Sequence, residues 1–199
     1  MDMQWSARGE AARDRILAAA AEELAETGDI EVASVARRAG VSAGLPYRYF
    51  GTRSGLVSAV VSAFYDRLDD AVTNREFDGE TWYDRERARV MAWVGHLYDE
   101  PLAPVVLSGL GADADAAGIE MRRLHAAIER GARNIARGQR DGDLPYDRDP
   151  ELFVAAVLGG VRTAVAVALA RTPRPDRARV AAELWAFVAG AADAPGRTS

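Results

Sequence analysis

The 199-residue chain contains no cysteine and no lysine. Without cysteine there is no disulfide, no thiolate metal site and no cysteine nucleophile. Without lysine there is no Schiff-base chemistry, no Ser–Lys pair and no P-loop lysine to grip a phosphate. Histidine is scarce: His96 and His125 are the only two, too few for a metal site without carboxylates, so neither metal nor cofactor is expected. The opening MDMQWSARGE lacks a basic stretch followed by an apolar run, the mark of a secretory signal, and a cytoplasmic location is the expectation. Catalytic constellations are also missing. Asp113 and Asp115 read as loop residues without an activating partner, and GLG at 109–111 follows no strand, so it is no dinucleotide fingerprint. The chain is expected not to be an enzyme.

What fills the chain instead is helix-forming. Alanine occurs 40 times and all 25 basic residues are arginine. Ala, Leu, Arg and Glu favour helix, and β-branched residues other than valine are few, so an all-α fold is expected. The length suits one large domain, or a small one joined to a larger one.

Charge is unevenly spread. The net charge is −5, yet from Val32 to Tyr65 there are four arginines (37, 38, 48 and 53) and no acid, leaving −9 for the rest. One basic face on an acidic body suits a protein that presents a single face to a polyanion. A chance gap in acidic residues explains the same pattern equally well.

Periodicity divides the chain into helices. Residues 12–27 carry Ile16, Leu17, Ala20, Ala21 and Leu24 at helical spacing, which leaves Glu22, Glu23 and Glu26 to solvent. Thr27-Gly28-Asp29 stops this helix. Val32–Ala39 follows, broken at Gly40-Val41. Ser42 is placed to cap the next helix, which runs to Tyr49, and Thr52 caps a long one with Leu56, Val60, Phe64 and Leu68 inward. Residues 74–80 read as loop and Trp82–Tyr98 as helix. Val105–Leu110 reads as a short helix between breaks, and Ile119–Arg137 as a helix with Met121, Leu124, Ala127, Ile128 and Ile135 inward. Asp149-Pro150 opens another helix, Glu151–Arg171, with an N-cap followed by proline at the first helical position. A last helix starts near Asp176, and APGRTS is a fraying tail.

The informative stretch is VASVARRAGVSAGLPYRYFGTRSGLVSAV, residues 32–60. Helix, glycine turn and short helix make a helix-turn-helix, whose second helix enters the major groove while the first crosses the backbone. Ser42, Ala43 and Gly44 are small enough for close approach to base edges and phosphate. Tyr47, Arg48 and Tyr49 offer hydroxyls and a guanidinium to phosphates, and Thr52 and Arg53 stand at a further helix N-terminus. Arg37 and Arg38 lie on the first helix, either as phosphate contacts or as plain solvated surface.

Together with AARDRILAAAAEELAETG, this stretch resembles the DNA-binding domain of the tetracycline-repressor-like (TetR) family. Val35, Ala36, Ala39, Gly40, Val41, Ser42, Gly44, Tyr47, Phe50 and Leu56 match the family pattern in order and spacing, over roughly residues 10–60. Five positions depart from it. Pro46 replaces a leucine near the fourth position of the helix. Leu45 replaces a small polar residue and suits a thymine methyl. Tyr49 replaces a histidine, Arg53 a lysine, and Glu31 the Ser or Thr that caps the first of the two helices.

The run Leu152–Ala170 is apolar almost all round. Its length would cross a membrane, but Arg162 at its middle makes that costly. A buried helix fits better, with one face on its own domain and the other on a second subunit. Gly159, Gly160, Ala164 and Ala168 would permit close approach. Helices 151–171 and 176–190 would then build a four-helix homodimer interface, which the resemblance also implies. The resemblance further implies a small-molecule effector cavity in this region. Its candidate lining is Trp82, Met91, Trp93, His96, Met121, His125, Phe153 and Arg162, each of which also reads as ordinary core. The expected organisation is a DNA-binding domain at 8–55 and a helical regulatory and dimerisation domain at 56–195. The expected function is a ligand-responsive transcriptional regulator, a repressor, that binds an inverted-repeat operator on double-stranded DNA as a homodimer. The alternative is a helical small-molecule-binding or protein-docking module that has lost DNA binding.

Overall fold

A computed structural model describes residues 7–109 and 113–193. Among the described residues there are helices and connecting turns and no strand, so the fold is all-α. Three helices, α1 (Ala7–Thr27), α2 (Val32–Arg38) and α3 (Leu45–Phe50), form a small N-terminal unit. From it α4 (Arg53–Leu68) leads away, extended by a π-helical turn at Asp69–Thr73. A larger bundle follows: α5 (Trp82–Asp99), α6 (Ala103–Ser108), α7 (Ala114–Asp141), α8 (Pro150–Ala170) and α9 (Arg177–Asp193).

Local chemistry explains where these helices begin. The first N–H groups of a helix lack intrahelical partners, and a side-chain oxygen at the N-cap satisfies them. Thr52 accepts from Gly55 N–H at 2.9 Å. Thr81 and Asp84 form a reciprocal capping box for α5. Asp113 accepts from Ala116 N–H at 3.0 Å, and Asp149 accepts from both Glu151 and Leu152 N–H behind the leading Pro150.

One core joins the two parts. Ile16, Leu24 and Val35 of the small unit and Trp82, Val94 and Leu97 of the bundle belong to the same buried cluster, with Leu56, Val60 and Phe64 of α4 between them. The boundary expected at residue 55 therefore falls inside a continuous helix. Within the bundle α4 and α7 run parallel, since Ser54 bonds Asp113 and Arg123 bonds Asp66. Helices α7 and α8 run antiparallel, Glu120 facing Arg162 and Gly131 facing Val154.

Several local expectations need correction. Glu23 is buried, because its carboxylate accepts the Glu31 N–H at 2.8 Å and so ties the end of α1 to the start of α2. Ser42 does not cap α3. The Ser42 carbonyl accepts from Leu45 N–H in a tight turn, Gly44 is the N-cap residue, and Pro46 stands in the first turn rather than near the fourth position. That placement costs no helical bond, since an N–H there would be unpaired anyway. Helix α7 starts ahead of Ile119, drawn out by the Asp113 cap. Met121 is exposed, and Ala168, expected at a subunit contact, is buried within the fold. Leu110, the middle of the 109–118 loop and the APGRTS tail lie wholly or partly outside the described residues, as does most of the opening MDMQWSARGE.

Candidate functional site

The α2–turn–α3 unit is shaped by two glycines and a proline. Gly40 adopts φ of 66°, a left-handed conformation that reverses the chain after α2 at little steric cost. The Val41 N–H then returns to the Ala36 carbonyl at 3.0 Å. Gly55 lets α4 press against the end of α3: a Cβ there would lie 2.1 Å from the Phe50 carbonyl oxygen. Pro46 is buried beneath α3, so the opposite side of this helix faces outward. Tyr47 is 51% exposed and Arg48 is exposed beside it; Ser42, Ala43 and Gly44 are exposed just ahead. Leu45 is half-buried against the core.

Other candidate contacts have partners within the fold. Arg38 reaches Glu26 at 2.8 Å and Glu22 at 3.4 Å, which draws α2 onto α1. The hydrogen bond and charge of Arg38 hold the Glu26 carboxyl below its usual range. Tyr49 is half-buried and its hydroxyl donates to the Gly9 carbonyl at 2.8 Å. The Thr52 hydroxyl is engaged as the α4 cap. Arg53 donates through Nε to the Ile30 carbonyl at 2.9 Å and through Nη2 to the Asp29 carboxylate. Arg37 stays exposed, with one bond to Ser34 at 3.3 Å. The face thus presents Ser42–Gly44, Tyr47, Arg48 and Arg37 outward, while Arg38 and Tyr49 brace its frame. Acid partners come from α1 and the following loop, 12 and 24 residues away in sequence, so a window from Val32 onward could not reveal them.

The family model for bacterial regulatory proteins of the tetR family matches residues 16–60, the helix pair and its supports. Residues 16–60 therefore carry a unit like the N-terminal domain of the tetR family. The chain is also similar to the HTH-type transcriptional regulator BetI of Escherichia coli O127:H6, with 38% identity over 90 residues. That match takes in 44% of this chain and 45% of BetI, so the chain spans under half the length of the relatives it matches. In fold the likeness runs nearly end to end. The fatty acid degradation regulator FadR from Bacillus halodurans superimposes with a TM-score of 0.78 at 16% identity, over 93% of this chain and 96% of that one. FadR from Bacillus subtilis, solved in complex with stearoyl-CoA, gives 0.73 at 17% identity, over 88% and 97%.

The bundle is polar along one partly exposed seam between α4, α7 and α8. Arg162 of α8 forms an ion pair with Glu120 of α7 and donates to the Tyr65 hydroxyl of α4 at 3.4 Å. Burial raises the Tyr65 phenol above its usual value, and the Arg162 charge opposes the rise. Arg123 bonds Asp66, and Asp69 at 2.9 Å, while Arg130 reaches Asp69 at 3.2 Å. Of the eight candidate lining residues, Arg162 sits in this seam. Met91 and Trp93 are half-buried against the core. His96 is half-buried, and its Nε2 has no hydrogen-bond partner among the described residues. Trp82 is buried at the head of α5 beside Gly138, and Phe153 borders a cavity of about 10 Å³, which is room for roughly one water molecule. Met121 and His125 are exposed on the outer face of α7. Sequence reasoning missed Glu120, Asp29 and Ser54. Glu120 carried no signal, whereas Asp29 follows the α1 stop directly.

Proposed function

We propose that this chain is a ligand-responsive transcriptional repressor that binds an inverted-repeat operator as a homodimer. The observation that carries the reading is the outward face of α3: Tyr47 and Arg48 project from a helix held by Pro46 beneath it and preceded by three small exposed residues. A side chain of that kind reaches base edges and phosphates when the helix lies in the major groove. In this reading residues 8–55 form the DNA-binding domain. The regulatory and dimerisation domain is residues 56–195, the last two of which lie outside the described residues.

The dimer reading is supported by α8. This is the one helix among the described residues long and apolar enough to cross a membrane, with a mean hydropathy of 2.1, yet only 22% of that window is buried. Its exposed residues include Leu152, Ala156, Gly159, Gly160, Ala164 and Val167 at helical spacing, beside Thr163, and Phe187 of α9 lies over Gly160. A largely apolar stripe with small residues at its middle fits a second copy of the same surface. For the effector, a compound with an apolar body and an anionic group would have to displace Glu120 from Arg162. Stearoyl-CoA, seen with one fold neighbour, has that character and belongs in the first screen.

Selection from random duplex DNA at physiological salt tests the reading, because non-specific phosphate binding is weak there. An inverted repeat with half-sites about one helical turn or slightly more apart is expected. Folded, dimeric protein that enriches no sequence overturns it and favours the docking-module alternative.

A further inference from the structure

Arg53 is the first residue of α4, directly after the Thr52 cap. Two of its three nitrogens are occupied: Nε on the Ile30 carbonyl at 2.9 Å and Nη2 on the Asp29 carboxylate. Nη1 makes no hydrogen bond among the described residues, and the side chain is 48% exposed. A guanidinium is planar and its donors stand in a fixed fork, so fixing two of them fixes the direction of the third.

Asp29 is itself immobilised. Its backbone N–H donates to the Thr27 hydroxyl at 3.2 Å, and its carbonyl accepts from that hydroxyl at 2.9 Å. Its carboxylate also accepts the Ile30 N–H at 2.7 Å. The chain of contacts therefore runs from the end of α1 through Asp29 to the free edge of Arg53. From these contacts we propose that Asp29 is a positioning residue for phosphate recognition: it locks Arg53 so that Nη1 meets a backbone phosphate of the operator. The inference rests on the DNA-binding reading above and adds a residue to it.

Two effects of Asp29 oppose each other. Its charge offsets the attraction of Arg53 for phosphate, and a carboxylate held on the same guanidinium acts inside the Debye length of about 8 Å at physiological ionic strength. Its bond removes rotamer freedom that a free arginine would lose on binding, and aims a charge-assisted donor at the phosphate. Asp29 aids binding where the second effect is the larger, and loss of affinity in D29A reads that balance directly. The pair also accounts for arginine at this position. A lysine carries its donors on one nitrogen at the end of a flexible stem and cannot hold two directional bonds while presenting a third.

The test measures Kd by fluorescence anisotropy on the selected operator duplex, over a salt series, with the full chain and thermal unfolding as a fold control. D29A and R53A are each expected to weaken binding about tenfold. R53A is also expected to flatten the salt dependence by about one unit in the log–log slope. In the D29A/R53A variant the loss should equal that of R53A alone. D29N, which keeps an acceptor for both Ile30 N–H and Arg53, should stay within about threefold of wild type. D29A binding as well as or better than wild type overturns the inference, as does multiplication of the two single losses. Should D29A fail to fold, R53K decides: a tenfold loss supports the lock, and wild-type binding refutes it. Wild-type protein that selects no duplex overturns the DNA-binding reading and this inference together, whereas wild-type binding with an indifferent Asp29 overturns the inference alone.

Discussion

Replacing Gly55 by alanine sets two known effects against each other. In a helix interior alanine is favoured over glycine by about 1 kcal/mol, because it has less backbone freedom to lose. Here the added methyl would stand 2.1 Å from the Phe50 carbonyl oxygen, far inside the roughly 3.5 Å of a comfortable non-bonded contact. The obstacle is backbone at the end of α3, which no rotamer change can clear. Overpacking of this kind costs about 1–3 kcal/mol, and a rigid neighbour puts it toward the upper end. The net expectation is a loss of about 1–2 kcal/mol. Gly95, within α5, is the matched control. A Cβ there meets nothing within 4 Å, so Gly95→Ala should stabilise by about 0.5–1 kcal/mol. Urea unfolding followed by far-UV circular dichroism reads both, at one fixed protomer concentration because association shifts the midpoint. Gly55→Ala as stable as wild type, with Gly95→Ala behaving as expected, would refute the argument that glycine is needed for the α3–α4 approach.

Three further outcomes follow from named contacts. Asp149→Ala strips the N-cap acceptor of two N–H groups and should cost about 1 kcal/mol in the same unfolding assay; no change would show that water caps α8 equally well. Phe187→Glu would set like charges against each other across the proposed dimer interface on the exposed α8–α9 face, and sedimentation should show a dimer for wild type and monomers for the variant; a persistent dimer would move the interface elsewhere. Burial raises the Glu86 carboxyl above its ordinary value, against the pull of Arg89 and the Asn134 amide. The fold therefore holds this proton more tightly than the unfolded chain does. Its contribution to stability is complete below the unfolded-state pKa and is lost as pH rises through the raised one. Glu86→Gln should flatten stability against pH in that window, and an unchanged profile would refute the assignment.

Most helices were legible because their signals are local. Asp149-Pro150, Thr52 and the Gly28 and Gly40 breaks act on the backbone within a few residues, and the apolar spacing of α1 and α4 follows from 3.6 residues per turn. The helix-turn-helix was legible for a further reason: its turn, its small residues and its core positions lie within one 29-residue stretch. Pro46 shows the limit of such reading. Proline belongs in a first turn, and α3 starts late enough to put it there, but counting from Ser42 concealed this.

The sequence by itself determined the helical class, the helix-turn-helix and its likeness to the tetR family, because each depends on residues close together in the chain. Tertiary structure alone decided which charges remain available. Glu23, a surface residue by periodicity, is buried because an N–H from the next loop needs its carboxylate. Arg38 is drawn to Glu22 and Glu26, Arg53 to Asp29, and Arg162 to Glu120, partners that lie 12 to 42 residues away in sequence. An ion pair acts over a few ångströms of space and takes no account of distance along the chain. Only the folded arrangement of α1, α4, α7 and α8 therefore distinguishes a guanidinium that braces the frame from one free to meet a ligand.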